Sequence, residues 1–159
     1  KLRDPEAIRF WPHGIGRDGA RTPMPWTSAP DGGFSAGEPW LPIDPRHLPL
    51  SVEAQEPAKA SLLAFTRRLI ALRKAHAALR EGTWRALPAP AGVLLFERAA
   101  PGERLLCAFN LSPEAIALPG AAFAGESLQA VAWDLPGEVS EGQILLPGYG
   151  GTLCKLGSC

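Results

Sequence analysis

The stretch from Gly16 to Trp26 reads Gly-Arg-Asp-Gly-Ala-Arg-Thr-Pro-Met-Pro-Trp, and its composition is typical of a rigid loop. Gly16 and Gly19 permit backbone angles that a side chain disfavours. The two prolines fix φ and extend the residues before them. Two guanidinium groups, a carboxylate and an indole therefore stand on a stiff frame, which suits a ligand with many hydroxyl groups. The alternative is a surface loop in which the aspartate pairs with an arginine only to keep the loop folded.

The first 57 residues around this stretch are rich in proline, glycine and tryptophan and show no sustained periodicity. Loops of this length are usually functional or disordered. Disordered chains are poor in aromatic residues, whereas this segment contains Trp11, Trp26, Phe34 and Trp40. The sequence therefore predicts a long ordered loop.

A helix is predicted next, with Pro57 in its first turn and a possible break near His76 before Gly82 ends the region. Apolar residues recur at the three-and-four spacing of one helix face. We take this stripe as part of the core; its members are Leu62, Phe65, Leu69 and Leu72.

From Thr83 onward the pattern changes to short apolar runs between proline-glycine turns, which favours an antiparallel sandwich. The predicted strands cover residues 83–87, 93–98, 104–110, 115–118, 128–133, 143–146 and 152–156. The predicted domains are therefore residues 1–82 and 83–159.

The composition disfavours several classes of partner and cofactor. Lys plus Arg and Asp plus Glu are both 16, so no basic surplus is available for nucleic acid, and no apolar run is long enough to span a membrane. Three cysteines and three histidines lack metal-ligand or disulfide spacing, and Cys107 and Cys154 lie in apolar runs typical of buried thiols. We expect no metal, no cofactor and a cytoplasmic location.

Several motifs in order resemble α-glucosidases of the α-amylase family, in the branch that contains oligo-1,6-glucosidases, dextran glucosidases and sucrose isomerases. The motifs are Ile8–Pro12, Arg17–Trp26, Gly32–Ser35, Pro39–Pro42, Ser51–Gln55 and Phe65–Lys74. The resemblance implies an α/β plus all-β fold: the last loop and helix of a (β/α)8 TIM barrel in residues 1–82, then a C-terminal β-sandwich. A whole barrel needs about 250 residues, so the implied partner of this 159-residue chain is the N-terminal barrel of a longer protein.

Glycoside hydrolysis needs two carboxyl groups across the scissile bond. No acidic residue here matches a catalytic motif of the family, so we assign no catalytic residue and expect the chain alone to be inactive. The resemblance places Arg21 beside a glucose, paired with an aspartate from an early barrel loop. Arg17 competes for this role, and Asp18 and Trp26 complete the candidate site for an oligosaccharide or glucoside substrate.

The aromatic residues of the loop have two interpretations, because an indole can stack on a sugar face or be buried to pin the loop. The parent activity also stays open between hydrolysis, transglucosylation and sucrose isomerisation. A different class of function is a non-catalytic carbohydrate-binding module in residues 83–159, which requires exposed aromatics aligned on one sheet face. Alternatively, these residues serve only to support the barrel.

Overall fold

A computed structural model describes residues 2–14, 16–119, 126–131, 136–140 and 143–158. The chain divides into two compact units, Lys1–Thr66 and Arg67–Cys159. Among the described residues, no helix is long and apolar enough to cross a bilayer.

The first unit is a long loop that short helical segments hold in place. They are α1 (Pro5–Arg9), α2 (Val52–Gln55) and two 3-10 turns, Asp18–Ala20 and Pro45–Leu50. Asp4 caps α1 and Ser51 caps α2 through side-chain oxygens, as expected at helix N-termini. Backbone hydrogen bonds from Val52 N to Pro25 O (3.1 Å) and from Glu53 N to Trp26 O (3.0 Å) tie the middle of the loop to the start of α2. The predicted ordered loop is confirmed.

Helix α3 (Leu62–Ala75) begins later than the sequence predicts. Ser61 Oγ accepts a hydrogen bond from Ala64 N at 3.2 Å, so Ser61 rather than Pro57 marks the helix start. The break near His76 is confirmed, because α3 ends at Ala75 and α4 covers Ala77–Arg80.

The apolar stripe of α3 is not buried as we expected. No residue of the helix is buried, and Leu62 is 73% exposed. Periodicity shows that a helix has an apolar face, but it does not show where the covering surface lies.

Within its described residues, the second unit contains eight strands in two antiparallel sheets. The strands are β1 (Thr83–Ala86), β2 (Val93–Ala100), β3 (Glu103–Asn110), β4 (Ile116–Leu118), β5 (Glu126–Val131), β6 (Glu138–Ser140), β7 (Gln143–Leu146) and β8 (Gly151–Ser158). The five-stranded sheet has the order β1-β2-β3-β8-β5, and the three-stranded sheet has the order β4-β7-β6.

The core of this unit lies between the two sheets. Leu95, Leu106, Ala108 and Cys154 come from the larger sheet, and Leu118, Ile144 and Leu146 come from the smaller one. Burying a large aliphatic side chain is worth about 1.5–3 kcal/mol, so this layer holds the sheets together. The predicted sandwich is confirmed.

The strand predictions miss one strand and differ from the structure at the ends of most of the others. Strand β6 has no counterpart among them, and β5 starts at Glu126 rather than Leu128. The end of the predicted strand 128–133 lies outside the described residues. Cys107 and Cys154 are both buried and free, as expected.

Candidate substrate-recognition site

The site is built on an ion pair between the N-cap of α1 and Arg17. Asp4 is fully buried, and its Oδ2 accepts from Arg17 Nε at 2.8 Å while its Oδ1 accepts from Arg17 Nη2 at 3.0 Å. Asp4 Oδ2 also accepts from Arg17 N at 2.8 Å, and Asp4 Oδ1 from Glu6 N at 3.1 Å. The Arg17 side chain, more than any other group, holds the pKa of Asp4 well below its usual range. Two planar groups joined in this way fix the start of the loop.

Asp18 lies next to this pair and makes a different set of contacts. Its Oδ2 accepts from Arg3 N at 2.6 Å and from Asp4 N at 3.0 Å. Among the described residues, its Oδ1 is the buried side-chain atom that has no hydrogen-bond partner. The expected alternative, in which Asp18 pairs with an arginine to hold the loop, is therefore wrong: Asp4 takes that role.

A small cleft of about 140 Å³ borders Asp18, and Trp11 and Gly16 also line it. An unsatisfied buried acceptor is costly unless a donor reaches it. Asp18 Oδ1 is therefore an acceptor that still needs a donor, from solvent, from a ligand or from another part of the protein.

The two glycines of the loop have different roles from those predicted. A Cβ at Gly16 would overlap the side chain of Ala7, so the close approach of α1 requires glycine there. Gly19 has no atom near its virtual Cβ and no positive φ. Only one of the two positions therefore needs glycine, and it needs it for space rather than for backbone angle.

Arg21 follows directly, and its backbone N donates to Asp18 O at 3.0 Å. Its side chain is exposed. Within the described part of the chain, the Arg21 guanidinium contacts no hydrogen-bond acceptor. The two arginines of the loop thus differ: Arg17 is held by a buried carboxylate, and Arg21 is not.

The aromatic residues of the loop are exposed rather than buried. Trp26 and Phe34 are half-exposed, and Trp40 is 56% exposed. The backbone of Trp26 is nevertheless fixed, because its N donates to Gly32 O at 2.7 Å. The interpretation of these rings as buried pins is not supported within this chain.

Sequence reasoning missed two further carboxylates that shape the loop. Asp4 carries the recognisable signal of an aspartate followed by proline at a helix start, but nothing local indicates that Arg17 is its partner. Glu53 Oε2 accepts from Ser28 N and Ser28 Oγ, both at 3.0 Å. The hydrogen bond from the Ser28 backbone N–H is the largest cause that lowers the pKa of Glu53, and the bond from the Ser28 hydroxyl is the second.

Metal ligation finds no support in the residues that the structure describes, which contain no group of three or more His, Cys, Asp or Glu side chains positioned to hold an ion. The acidic residues near the loop instead accept hydrogen bonds from backbone and side-chain donors.

Comparison with known protein families identifies the family to which the segment containing this loop belongs. Residues 1–82 match the family described as "Alpha amylase, catalytic domain". The chain belongs to the α-amylase family. The TIM-barrel fold class and the glucosidase resemblance drawn from the motifs are thereby confirmed.

The curated relatives in this family include α-glucosidases. The chain is 48% identical over 114 residues to the "Probable alpha-glucosidase" of Rhizobium meliloti (strain 1021), covering 72% of this chain and 21% of that protein. It is 37% identical over 81 residues to the oligo-1,6-glucosidase of Parageobacillus thermoglucosidasius, covering 51% of this chain and 14% of that protein. The chain thus spans about a fifth or less of these relatives.

Solved structures of the α-amylase family superimpose on most of the chain. The α-glucosyl transfer enzyme XgtA has a TM-score of 0.87 at 36% identity, over 98% of this chain and 29% of that one. The trehalulose synthase MutB from Pseudomonas mesoacidophila MX-45 has a TM-score of 0.75 at 26% identity, over 89% of this chain and 26% of that one. These neighbours include the sucrose-isomerising enzymes expected from the motifs.

Proposed function

We propose that the full-length protein is a retaining α-glucosidase that acts on α-glucosidic bonds of oligosaccharides. In this proposal the chain contributes substrate recognition and structural support. The reactive carboxyl groups, which must flank the scissile bond, come from the N-terminal barrel. That barrel is also the proposed partner of the exposed apolar face of α3.

The observation that carries the proposal is the contrast between Arg17 and Arg21. Both side chains are exposed, but the guanidinium of Arg17 pairs with Asp4 and Glu6, whereas that of Arg21 has no carboxylate partner among the described residues. A guanidinium can hold a carboxylate through two parallel bonds and still donate to a sugar hydroxyl. We therefore assign Arg21 to glucose recognition and Arg17 to positioning the loop.

Asp18 and Trp26 have supporting roles in this proposal. Asp18 Oδ1 is the acceptor for a donor from the barrel or from the substrate, and the half-exposed indole of Trp26 offers a face for a sugar ring. The family match ends at residue 82, which supports a domain boundary at 82/83. Two buried free thiols favour a reducing, cytoplasmic location.

The test is the variant Arg21→Ala in the full-length protein, assayed with p-nitrophenyl α-glucoside. In this proposal Arg21 pairs with the aspartate of an early barrel loop. Leaving that buried aspartate unpaired costs at least about 3 kcal/mol, so kcat/KM should fall by about a hundredfold or more. Arg46→Ala is the matched control, because Arg46 is an exposed arginine of the same unit whose partner is Asp44. Wild-type kcat/KM in Arg21→Ala would remove Arg21 from the site.

A second candidate activity is glucosyl transfer to another sugar. It is favoured by the likeness to the α-glucosyl transfer enzyme, which covers nearly the whole chain. Product analysis with and without a second sugar distinguishes the two: free glucose alone indicates hydrolysis, and a new glucoside indicates transfer.

A carbohydrate-binding role for the sandwich is the remaining alternative. Trp84, Phe96 and Phe109 form a row across β1, β2 and β3, with ring centroids 5.9 and 6.1 Å apart. Phe96 and Phe109, however, are only partly exposed and line a groove with apolar residues of α3 and α4. This favours a structural role, which Trp84→Ala tests: unchanged retention of the full-length protein on a dextran gel supports it.

A further inference from the structure

A cleft of about 340 Å³ lies within residues 30–43. Arg21 is not among the residues that line it. Its walls combine the indole of Trp40, the carboxyl groups of Asp31 and Glu38, the hydroxyl of Ser35 and three prolines. The volume falls within the range of small-molecule sites, about 300–1,000 Å³. Apolar and polar groups therefore face the same concave space.

The cleft is held by its own backbone. Gly32 and Gly33 have φ angles of 60° and 61°, which glycine adopts without strain. Gly33 N donates to Asp31 Oδ1 at 2.9 Å, and Gly37 N donates to Ser35 Oγ at 3.1 Å. Gly32 O accepts from Trp26 N at 2.7 Å, so the cleft is also anchored to the loop that carries Arg21. A ligand would meet walls that are already positioned.

Trp40 is the distinctive group of the cleft. Its side chain is 56% exposed, whereas the next residue, Leu41, is only 3% exposed and anchors the segment. An exposed indole beside a buried anchor presents a flat apolar face with partial negative charge. The axial C–H groups of a pyranose ring are matched to such a face.

Asp31 and Glu38 bring carboxylate acceptors to the cleft, and the hydroxyl of Ser35 both donates and accepts. Asp31 uses Oδ1 for a backbone contact, which leaves its Oδ2 available to a ligand hydroxyl. No lysine, arginine or histidine is among the residues that line the cleft, so a phosphate or carboxylate ligand is disfavoured. Hydroxyl donors together with an apolar ring face are the features of a neutral sugar.

We propose that this cleft is a second sugar-binding site that takes a glucosyl unit of an α-glucosidic oligosaccharide. The sugar class rests on the proposed function, but binding here requires neither Arg21 nor catalysis. Trp26 is five residues from Arg21 in the sequence, so the hydrogen bond from Trp26 N to Gly32 O ties the cleft to the loop that carries Arg21.

The experiment uses the full-length protein labelled with 5-fluorotryptophan, with the Trp40 resonance assigned through Trp40→Phe. Titration with thio-linked analogues of maltotriose or isomaltotriose, which the proposed glucosidase does not hydrolyse, should shift the Trp40 resonance. Trp84 is the matched control, because it is also 56% exposed but lies on the sandwich, and its resonance should stay in place. In Asp31→Asn, which keeps the Trp40 reporter and replaces the free carboxylate oxygen, the dissociation constant read from that resonance should rise by about tenfold, which corresponds to about 1.4 kcal/mol.

Two further measurements separate this site from the proposed function. Trp40→Ala should leave kcat/KM for p-nitrophenyl α-glucoside within about twofold of wild type, and the sugar-induced shift should persist in Arg21→Ala. If both variants keep wild-type activity and the shift persists, the role of Arg21 is overturned and the second site is not. A Trp40 resonance that neither trisaccharide moves, or that choline moves instead as a cationic probe, would overturn the second site.

Discussion

Asn110 at the end of β3 offers the sharpest test of how the sandwich is held. Its side chain is 2% exposed, and its Nδ2 donates to Glu114 O at 2.6 Å, Pro147 O at 3.0 Å and Leu146 O at 3.3 Å. Its Oδ1 accepts from Ser112 N at 3.0 Å and from Ser112 Oγ at 2.8 Å. One amide thus joins β3, the turn after it and the end of β7.

The substitution Asn110→Asp keeps the shape and removes both donors. Each carbonyl left without a donor costs about 1–3 kcal/mol, so losing the two shorter bonds predicts a fall of about 3 kcal/mol in the free energy of unfolding. The new carboxylate also faces three carbonyl oxygens, which raises its pKa in the folded state. Its protonated form is favoured by folding, so the variant should regain stability relative to wild type as the pH falls through that raised pKa.

The measurement is the urea midpoint of the purified chain from pH 7 to pH 4. A loss of about 3 kcal/mol corresponds to a decrease of about 1–3 M urea. Gln143→Ala is the control for loss of an amide at an exposed strand position, and it should change the midpoint little. If Asn110→Asp unfolds at the wild-type midpoint at pH 7, or if its deficit is independent of pH, the reasoning is refuted.

Three further predictions concern other parts of the chain. Gly16→Ala should lower the free energy of unfolding by about 1–3 kcal/mol through overlap with Ala7, and adding Ala7→Gly should restore part of it in the same urea titration; no recovery would contradict the steric account. Arg104 is the main cause that lowers the pKa of Glu97 in the folded state. Ionised Glu97 therefore stabilises the fold fully above its unfolded pKa of about 4.5, and this stability is lost as the pH falls through the folded pKa. Glu97→Gln should reduce the loss of stability at acid pH, and an unchanged loss in this variant would exclude Glu97 as its source. Burial raises the pKa of Cys107 to about 12 and also raises that of Cys154, so with the third cysteine replaced by serine, Ellman's reagent should react only in urea, and rapid reaction without urea would contradict their burial.

The sandwich was largely predictable because its strands are marked by local signals. Gln143–Leu146 matches the prediction residue for residue, and β1 to β3 differ from it only at their ends. Strand β6 could not be recognised, since Glu138–Ser140 is short and polar at both ends and, in the part of the chain that the structure describes, pairs with β7 alone. Its strand state depends on a neighbour rather than on its own residues.

The ordered loop that carries the candidate site was predictable from its composition, but the pairing of its side chains was not. The motif around Arg17 and Arg21 identified the loop, yet which arginine would be occupied depended on Asp4, 13 residues before Arg17. Local patterns do not specify contacts at that separation. The exposed stripe of α3 was misjudged for a related reason, because an apolar face indicates a need for cover but not its source.

The position of β8 constrains the order in which the larger sheet can assemble. Strand β8 (Gly151–Ser158) is hydrogen-bonded to β3 on one side and β5 on the other, so the last of the described strands is an internal strand of the larger sheet. During translation, β3 therefore keeps an unpaired edge until residue 158 has left the ribosome. Deleting Gly151–Ser158 would therefore split the larger sheet and leave β3 and β5 with open edges prone to association with other chains.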